Sequence, residues 1–190
     1  MQHTMLQIKA TTNIMKRREL FSSLASPFKK KDEKLEAVIR PPYFKEESDF
    51  SKICVTCESK SCTTVCEENI ILISEDGTPS LNFANSGCTY CDECAIACKG
   101  DVLKVEYKKN IQARFSIDVL KCMSWNQTMC FSCKDPCFDD AIKFLGMFRP
   151  EINSDLCTSC GFCVKVCPSD AISLEIITEI DNEIKDKEII

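Results

Sequence analysis

Apolar residues along this chain come in short bursts separated by polar, turn-prone stretches, and no burst is long. Four are rich in β-branched residues: Ile70–Ile73, Val102–Tyr107, Ile142–Leu145 and Ile172–Ile177. Three others, Ser80–Phe83, Ala113–Val119 and Pro150–Asn153, fall between them. Runs of this length and makeup predict short strands, with Gly77 and Pro79 marking the turn inside the first pair. No apolar run approaches the roughly 18 residues that a membrane span requires. The pattern reads as strand, polar loop, short helix, strand, repeated four times: an α+β fold of small strands and short helices.

Cysteine gives the repeat its register. The 190 residues include 16 Cys in four groups: Cys54, Cys57, Cys62, Cys66; Cys88, Cys91, Cys94, Cys98; Cys122, Cys130, Cys133, Cys137; and Cys157, Cys160, Cys163, Cys167. The first members are 34, 34 and 35 residues apart, and a fixed period of this size marks tandem structural units. Within each unit the short helix is expected to carry the fourth thiol. The last group has C-x2-C-x2-C-x3-C spacing closed by Pro168, the bacterial ferredoxin pattern for a [4Fe-4S] cluster. The first group has four residues between Cys57 and Cys62 and the third has seven between Cys122 and Cys130, so each lengthens a loop without losing a ligand. Glu67, Lys99 and Phe138 stand where the last group has Pro168, and those three turns are expected to be less constrained and their clusters more easily stripped by air.

Zinc and disulfides compete for the same thiols. Zinc sites space their ligand pairs widely and often add histidine, but His3 is the only histidine. Disulfides fit poorly with thiols repeated every third residue, which seldom meet bridge geometry. Iron–sulfur is the chemistry that fits, and sixteen thiols at four per cluster imply four [4Fe-4S] clusters. In two-cluster ferredoxins the fourth cysteine of each motif ligates the other cluster. Applied to sequence neighbours, that rule puts Cys54, Cys57, Cys62 and Cys98 on one cluster, and Cys88, Cys91, Cys94 and Cys66 on the next. A third would take Cys122, Cys130, Cys133 and Cys167, and a fourth Cys157, Cys160, Cys163 and Cys137. Pairing the two inner groups with each other, and the two outer ones likewise, remains an alternative.

Charge divides the chain. Its net −5 combines +5 over residues 1–34 with −10 over residues 35–190. The expected organisation is a basic arm over 1–34, a strap over 35–53, ferredoxin-like two-cluster modules over 54–112 and 113–177, and an acidic tail over 178–190. In the arm, Asn13 caps a helix with Leu20, Phe21 and Leu24 on one face, ended by Pro27. Lys16-Arg17-Arg18 has an export-signal look, but the apolar run after it is too short for one, so a cytoplasmic, reducing compartment is expected. In Ile39-Arg40-Pro41-Pro42-Tyr43-Phe44 the double proline forces an extended path that lays Tyr43 and Phe44 across the cluster domain. Ile180 and Ile184 share a helical face in the tail. Trp125, inside the third ligand loop, reads as a cover over the cluster or as a docking residue. An acidic body is not a nucleic-acid binder. None of the five glycines builds a dinucleotide or phosphate loop, and no nucleophile–base pair surrounds His3, so an enzyme is not expected.

These features together resemble one family, the ferredoxin-type accessory proteins of periplasmic nitrate reductase systems called NapF. The likeness rests on Lys16-Arg17-Arg18, Ile39-Arg40-Pro41-Pro42-Tyr43, Pro79-Ser80-Leu81-Asn82-Phe83, the Cys122-x7-Cys130 gap and the proline-closed fourth group. It implies a cytoplasmic protein that binds the molybdenum-containing catalytic subunit before export and supplies electrons or cluster components. The other role it allows is an electron carrier linked to a membrane quinol dehydrogenase.

Overall fold

The computed structural model describes residues 38–177, all within the contact-defined unit Ala37–Ile190. The expected N-terminal helix, Lys16-Arg17-Arg18 and the tail from Thr178 lie outside the described residues.

The alternation of short apolar runs with turn residues yields hairpins. β1 (Ile71–Ile73) pairs antiparallel with β2 (Pro79–Leu81), placing Ile71 opposite Leu81. Gly77 turns this hairpin at φ +80°. Beside it, the Asp76 carboxylate accepts the Thr78 N–H (2.9 Å) and hydroxyl (2.6 Å), bonds that hold its pKa below the usual carboxylate range. β4 (Ile142–Leu145) and β5 (Arg149–Ile152) repeat the arrangement, with Ile142 opposite Ile152 and Gly146 at φ +70° in the turn. β3 (Ala113–Ile117) pairs with a distant strand, β6 (Ile172–Ile176), and so closes the second half of the molecule around the β4–β5 hairpin.

The first half closes differently, and here one expected strand is corrected. Val102–Tyr107 is not a strand: Leu103 makes a single bridge to Phe44, and Val105–Tyr107 is a 3-10 turn. The reason lies in the partner. At this edge the neighbour is the strap, where Pro41 and Pro42 have no N–H to offer a ladder. What remains is the Lys104 N–H donating to the Tyr43 carbonyl (2.8 Å) and the Lys109 N–H donating to the Pro42 carbonyl (2.9 Å). The strap thus stands in the first half where β3 stands in the second.

Its burial follows from that position. Ile39, Arg40, Tyr43 and Phe44 are buried, as are Pro41 and Pro42, and Phe44 meets Phe50 edge to face at 5.1 Å. A buried guanidinium is tolerated only when paired and hydrogen-bonded. Arg40 Nε donates to Glu47 (2.6 Å), and Nη1 donates to the Thr78 hydroxyl (2.6 Å) and the Pro79 carbonyl (2.8 Å). The guanidinium also lies 4.7 Å from the Phe50 ring centre.

The helices bring a second correction. α1 (Ser61–Thr64), α2 (Glu93–Ile96) and α3 (Phe162–Lys165) carry the third thiols, Cys62, Cys94 and Cys163, not the fourth. Third and fourth thiols are four residues apart, so a helix spanning both would set them on one face. Ending the helix between them frees Cys66, Cys98 and Cys167 to turn elsewhere. The third group has no helix, and Pro136 stands directly before Cys137.

The halves meet through aromatic and glycine contacts. Phe83 packs edge to face on Phe115 at 5.6 Å. Gly161, at φ +86°, lies so close that a Cβ there would come within 2.2 Å of the Phe83 ring. The Cys88 N–H donates to the Cys160 carbonyl at 2.7 Å, tying the second ligand loop to the fourth.

Candidate metal centre

Each ligand loop is shaped by residues in the left-handed region. Lys60, Asp92 and Gly161, each two positions before the third thiol, have positive φ and lead into α1, α2 and α3. Asn69, Asp101, Asp140 and Asp170, each three positions after the fourth thiol, also have positive φ. Asn and Asp are the side chains that most readily adopt this conformation. The next residue in each unit, Ile70, Val102, Ala141 or Ala171, is buried and returns the chain to the core. The same turn points backbone N–H groups at sulfur: Leu103 at Cys98 (3.4 Å), Ala141 at Cys137 (3.3 Å) and Ala171 at Cys167 (3.2 Å). In the second loop, the Tyr90 N–H donates to Cys88 (3.4 Å). At Cys167 such bonds favour the thiolate over the thiol.

The two lengthened loops are folded on themselves. In the third, the Asn126 side chain donates to the Leu120 and Cys122 carbonyls (3.2 and 2.8 Å), and the Thr128 N–H donates to Met123 (2.9 Å). Trp125 anchors that loop to β5: its indole N–H donates to the Pro150 carbonyl at 3.1 Å, with Arg149 over the ring at 5.6 Å. In the first loop, Lys60 Nζ donates to the Cys54 carbonyl and, at 2.6 Å, to Gly77.

The electrostatic neighbours of the buried thiols sort them into sets. Burial first, then the charges of Cys98, Cys62 and Cys57, push Cys54 up to about 11. Burial and then Cys66 and Cys91 act on Cys88, also raised to about 11. Cys133, pushed to about 11 by burial, feels Cys122, Cys130 and Cys167. Cys163, pushed to about 12 by burial, feels Cys160, Cys157, Cys133 and Cys137, in that order. Two thiols are lowered instead. Cys57 is stabilised as thiolate by the Ser59 hydroxyl, and at Cys167 the raising effect of burial is outweighed by the N–H groups of Ala171 and Ser169. At the raised thiols, such as Cys54, Cys88, Cys133 and Cys163, metal loading must displace protons.

Thiol charges also act across sets. Cys62 acts on Cys94, Cys160 on Cys88, and Cys133 on Cys163. The set of the first loop therefore borders that of the second, the second borders the fourth, and the fourth borders the third.

The walls around these thiols differ: the pockets of the first and third loops are mainly apolar, while the cavity of the second also presents Glu67, Glu68, Asp92 and Glu93. A cavity of about 290 Å³ lies between Pro41, Pro42 and Tyr43 on one side and Cys66, Cys88, Cys91 and Cys94 on the other. Ile53, Val102 and Leu103 line the pocket of Cys54, Cys57, Cys62 and Cys98. Among the described residues, no group of three His, Cys, Asp or Glu converges on a single ion. A tetrahedral zinc site, with Zn–S bonds of about 2.3 Å, would need its thiols in near contact. Four thiols lining one pocket, as with Cys54, Cys57, Cys62 and Cys98 or Cys122, Cys130, Cys133 and Cys167, are the donor set that a [4Fe-4S] cluster takes. The residue-level features that the cysteine count does not expose are the Asn/Asp turn series and one hydroxyl, Ser124. The turn series is readable as a spacing, and the hydroxyl has no sequence signal.

Hairpins and one-turn helices that turn cysteines inward on apolar pockets define a ferredoxin-type iron–sulfur protein, and residues 150–173 match the 4Fe-4S binding domain family. Over 143 residues the chain is 35% identical to the ferredoxin-type protein NapF of Escherichia coli K12, covering 73% of this chain and 85% of that protein. NapF of Haemophilus influenzae is 34% identical over 140 residues, covering 72% and 78%. The ferredoxin-type protein NapG of Escherichia coli K12 is 26% identical over 163 residues, covering 73% and 70%. The chain belongs to the NapF family of ferredoxin-type proteins. Among the described residues, no helix is long and apolar enough to cross a membrane.

Proposed function

We propose that the chain carries four [4Fe-4S] clusters in two tandem modules. On this reading it serves, in the cytoplasm, the maturation of a molybdenum-containing periplasmic nitrate reductase catalytic subunit, binding that subunit and supplying it with electrons. Two features support the modules: the strap closes the first half as β3 and β6 close the second, and the thiol neighbours favour pairing between adjacent groups over inner-with-inner pairing. The ligands would be Cys54, Cys57, Cys62 and Cys98; Cys88, Cys91, Cys94 and Cys66; Cys122, Cys130, Cys133 and Cys167; and Cys157, Cys160, Cys163 and Cys137. When bound, each cluster would supply a one-electron redox centre. The chain's residues hold those centres side by side in an apolar setting and aim N–H groups at their sulfurs.

The observation that carries the reading is that ligand loops abut: α1, with Cys62, packs on α2, with Cys94, and the Cys88 N–H donates to the Cys160 carbonyl at 2.7 Å. A row of neighbouring redox centres suits electron delivery. It suits donation of cluster components less, because each set draws its fourth ligand from a second loop and releasing a cluster would open both. The link to nitrate reduction comes from the relatives, which are named as ferredoxin-type proteins of the NapF and NapG kinds.

A second reading, an electron carrier linked to a membrane quinol dehydrogenase, is favoured by one observation. The double-proline strap is consumed in the fold and leaves residues 1–36 as the docking candidate. The test is an anaerobic pull-down of the catalytic subunit precursor with the full chain and with a chain starting at residue 37, iron content being checked in both. The maturation reading predicts binding by the full chain and its loss on truncation with iron retained. Equal binding by both contradicts a docking arm, and binding by neither contradicts maturation and leaves the carrier reading.

A further inference from the structure

The residue two positions after the first thiol bears a hydroxyl in all four units: Thr56, Tyr90, Ser124 and Ser159. Three have partners. Thr56 donates to the Ile53 carbonyl at 3.2 Å, Tyr90 to the Thr158 carbonyl, and Ser159 to the Ala113 carbonyl. Ser124 is 1% exposed, and among the described residues its hydroxyl is the buried side-chain oxygen or nitrogen left without a partner. An unpartnered buried hydroxyl costs about 1–3 kcal/mol, so a native chain that keeps one calls for a reason.

Its position supplies the reason. Ser124 lines the same pocket as Cys122, Cys130, Cys133 and Cys167. The other two hydroxyls of that pocket already lie against sulfur, Ser132 at 3.7 Å from Cys130 and Ser169 at 3.8 Å from Cys167. The two residues after Ser124 anchor the loop, Trp125 to the Pro150 carbonyl and Asn126 to the Cys122 carbonyl.

We propose that Ser124 donates its hydroxyl hydrogen to a sulfur of the iron–sulfur cluster held by Cys122, Cys130, Cys133 and Cys167, and that this bond raises the reduction potential of that cluster above what its thiolates alone would set. The proposal rests on the four-cluster reading. Its physics is that a donor aimed at sulfur stabilises the extra negative charge of the reduced form. The oxidised cluster accepts such a bond too, so the potential moves only by what the bond gains on reduction, a few-fold in the reduction equilibrium, with tenfold being about 59 mV for one electron.

The test compares S124A and S124T with the unaltered full chain, all loaded anaerobically, by EPR-monitored redox titration. Pulsed EPR in deuterated buffer follows exchangeable protons near each centre. S124A is expected to lower one midpoint by about a few-fold in equilibrium and to remove one exchangeable-proton coupling at unchanged iron content, while S124T retains both. Unchanged midpoints and couplings in S124A overturn the proposal and leave the four-cluster reading standing. Loss of about four iron from S124A also overturns it, by making Ser124 structural. An unaltered chain that lacks a cluster on these four thiols overturns the reading beneath it.

Discussion

Residues in the left-handed region carry much of the loop geometry. Asn69, Asp101, Asp140 and Asp170 repeat one turn four times, and only the last follows a proline-closed motif. The absence of proline after Cys66, Cys98 and Cys137 therefore does not leave those turns without a common constraint. Val at Asp140 or Asp170 forces a β-branched side chain to positive φ, and each substitution is expected to cost about 1–2 kcal/mol, whereas Gly is nearly neutral; anaerobic denaturant titration measures the difference. Gly161→Ala combines positive φ with a clash against Phe83 and is expected to lower stability by more than either Val substitution on the same assay. The Asx spacing is legible once the cysteines are aligned by period. Ser124 is not, because the same hydroxyl position recurs in every unit and burial decides which one lacks a partner.

Among the elements, the strap shows how far local chemistry carries. Pro41-Pro42 predicts an extended path, and the extended path is found buried, with Arg40 bonded beneath it. Val102–Tyr107 has strand composition, but composition does not say whether a neighbouring edge has N–H groups to share, and this one has prolines. The one-turn helices are too short for apolar periodicity to place, and α1, α2 and α3 carry the third thiol of their units where the sequence puts the fourth. Phe44→Ala is expected to destabilise the protein by about 3–5 kcal/mol. Because Phe44 packs with Phe50 and Leu103 in the first half, iron lost on mild heating should come first from the centres of Cys54 through Cys98. Uniform loss across all centres, followed by EPR, would contradict the strap's local role.

At the scale of the whole molecule, period and count make four groups of four cysteines legible, but not the order in which the groups lie. That order comes from contacts between loops far apart in sequence, such as the Cys88 N–H on the Cys160 carbonyl, for which no local pattern exists. Crossed ligation gives a direct comparison. Cys98→Ser should perturb the same EPR signal as Cys54→Ser, and Cys66→Ser the same signal as Cys91→Ser; the opposite grouping would mean that each loop keeps its own fourth thiol.

The central claim is four cubanes on sixteen thiols. Anaerobic iron and acid-labile sulfide analysis of the full chain, paired with EPR of the reduced protein, tests it most directly. The account predicts about 16 iron and about 16 sulfide per chain, with interacting [4Fe-4S] signals from neighbouring centres. Stoichiometric zinc, or iron near half that value with half the cysteines open to alkylation, would contradict it.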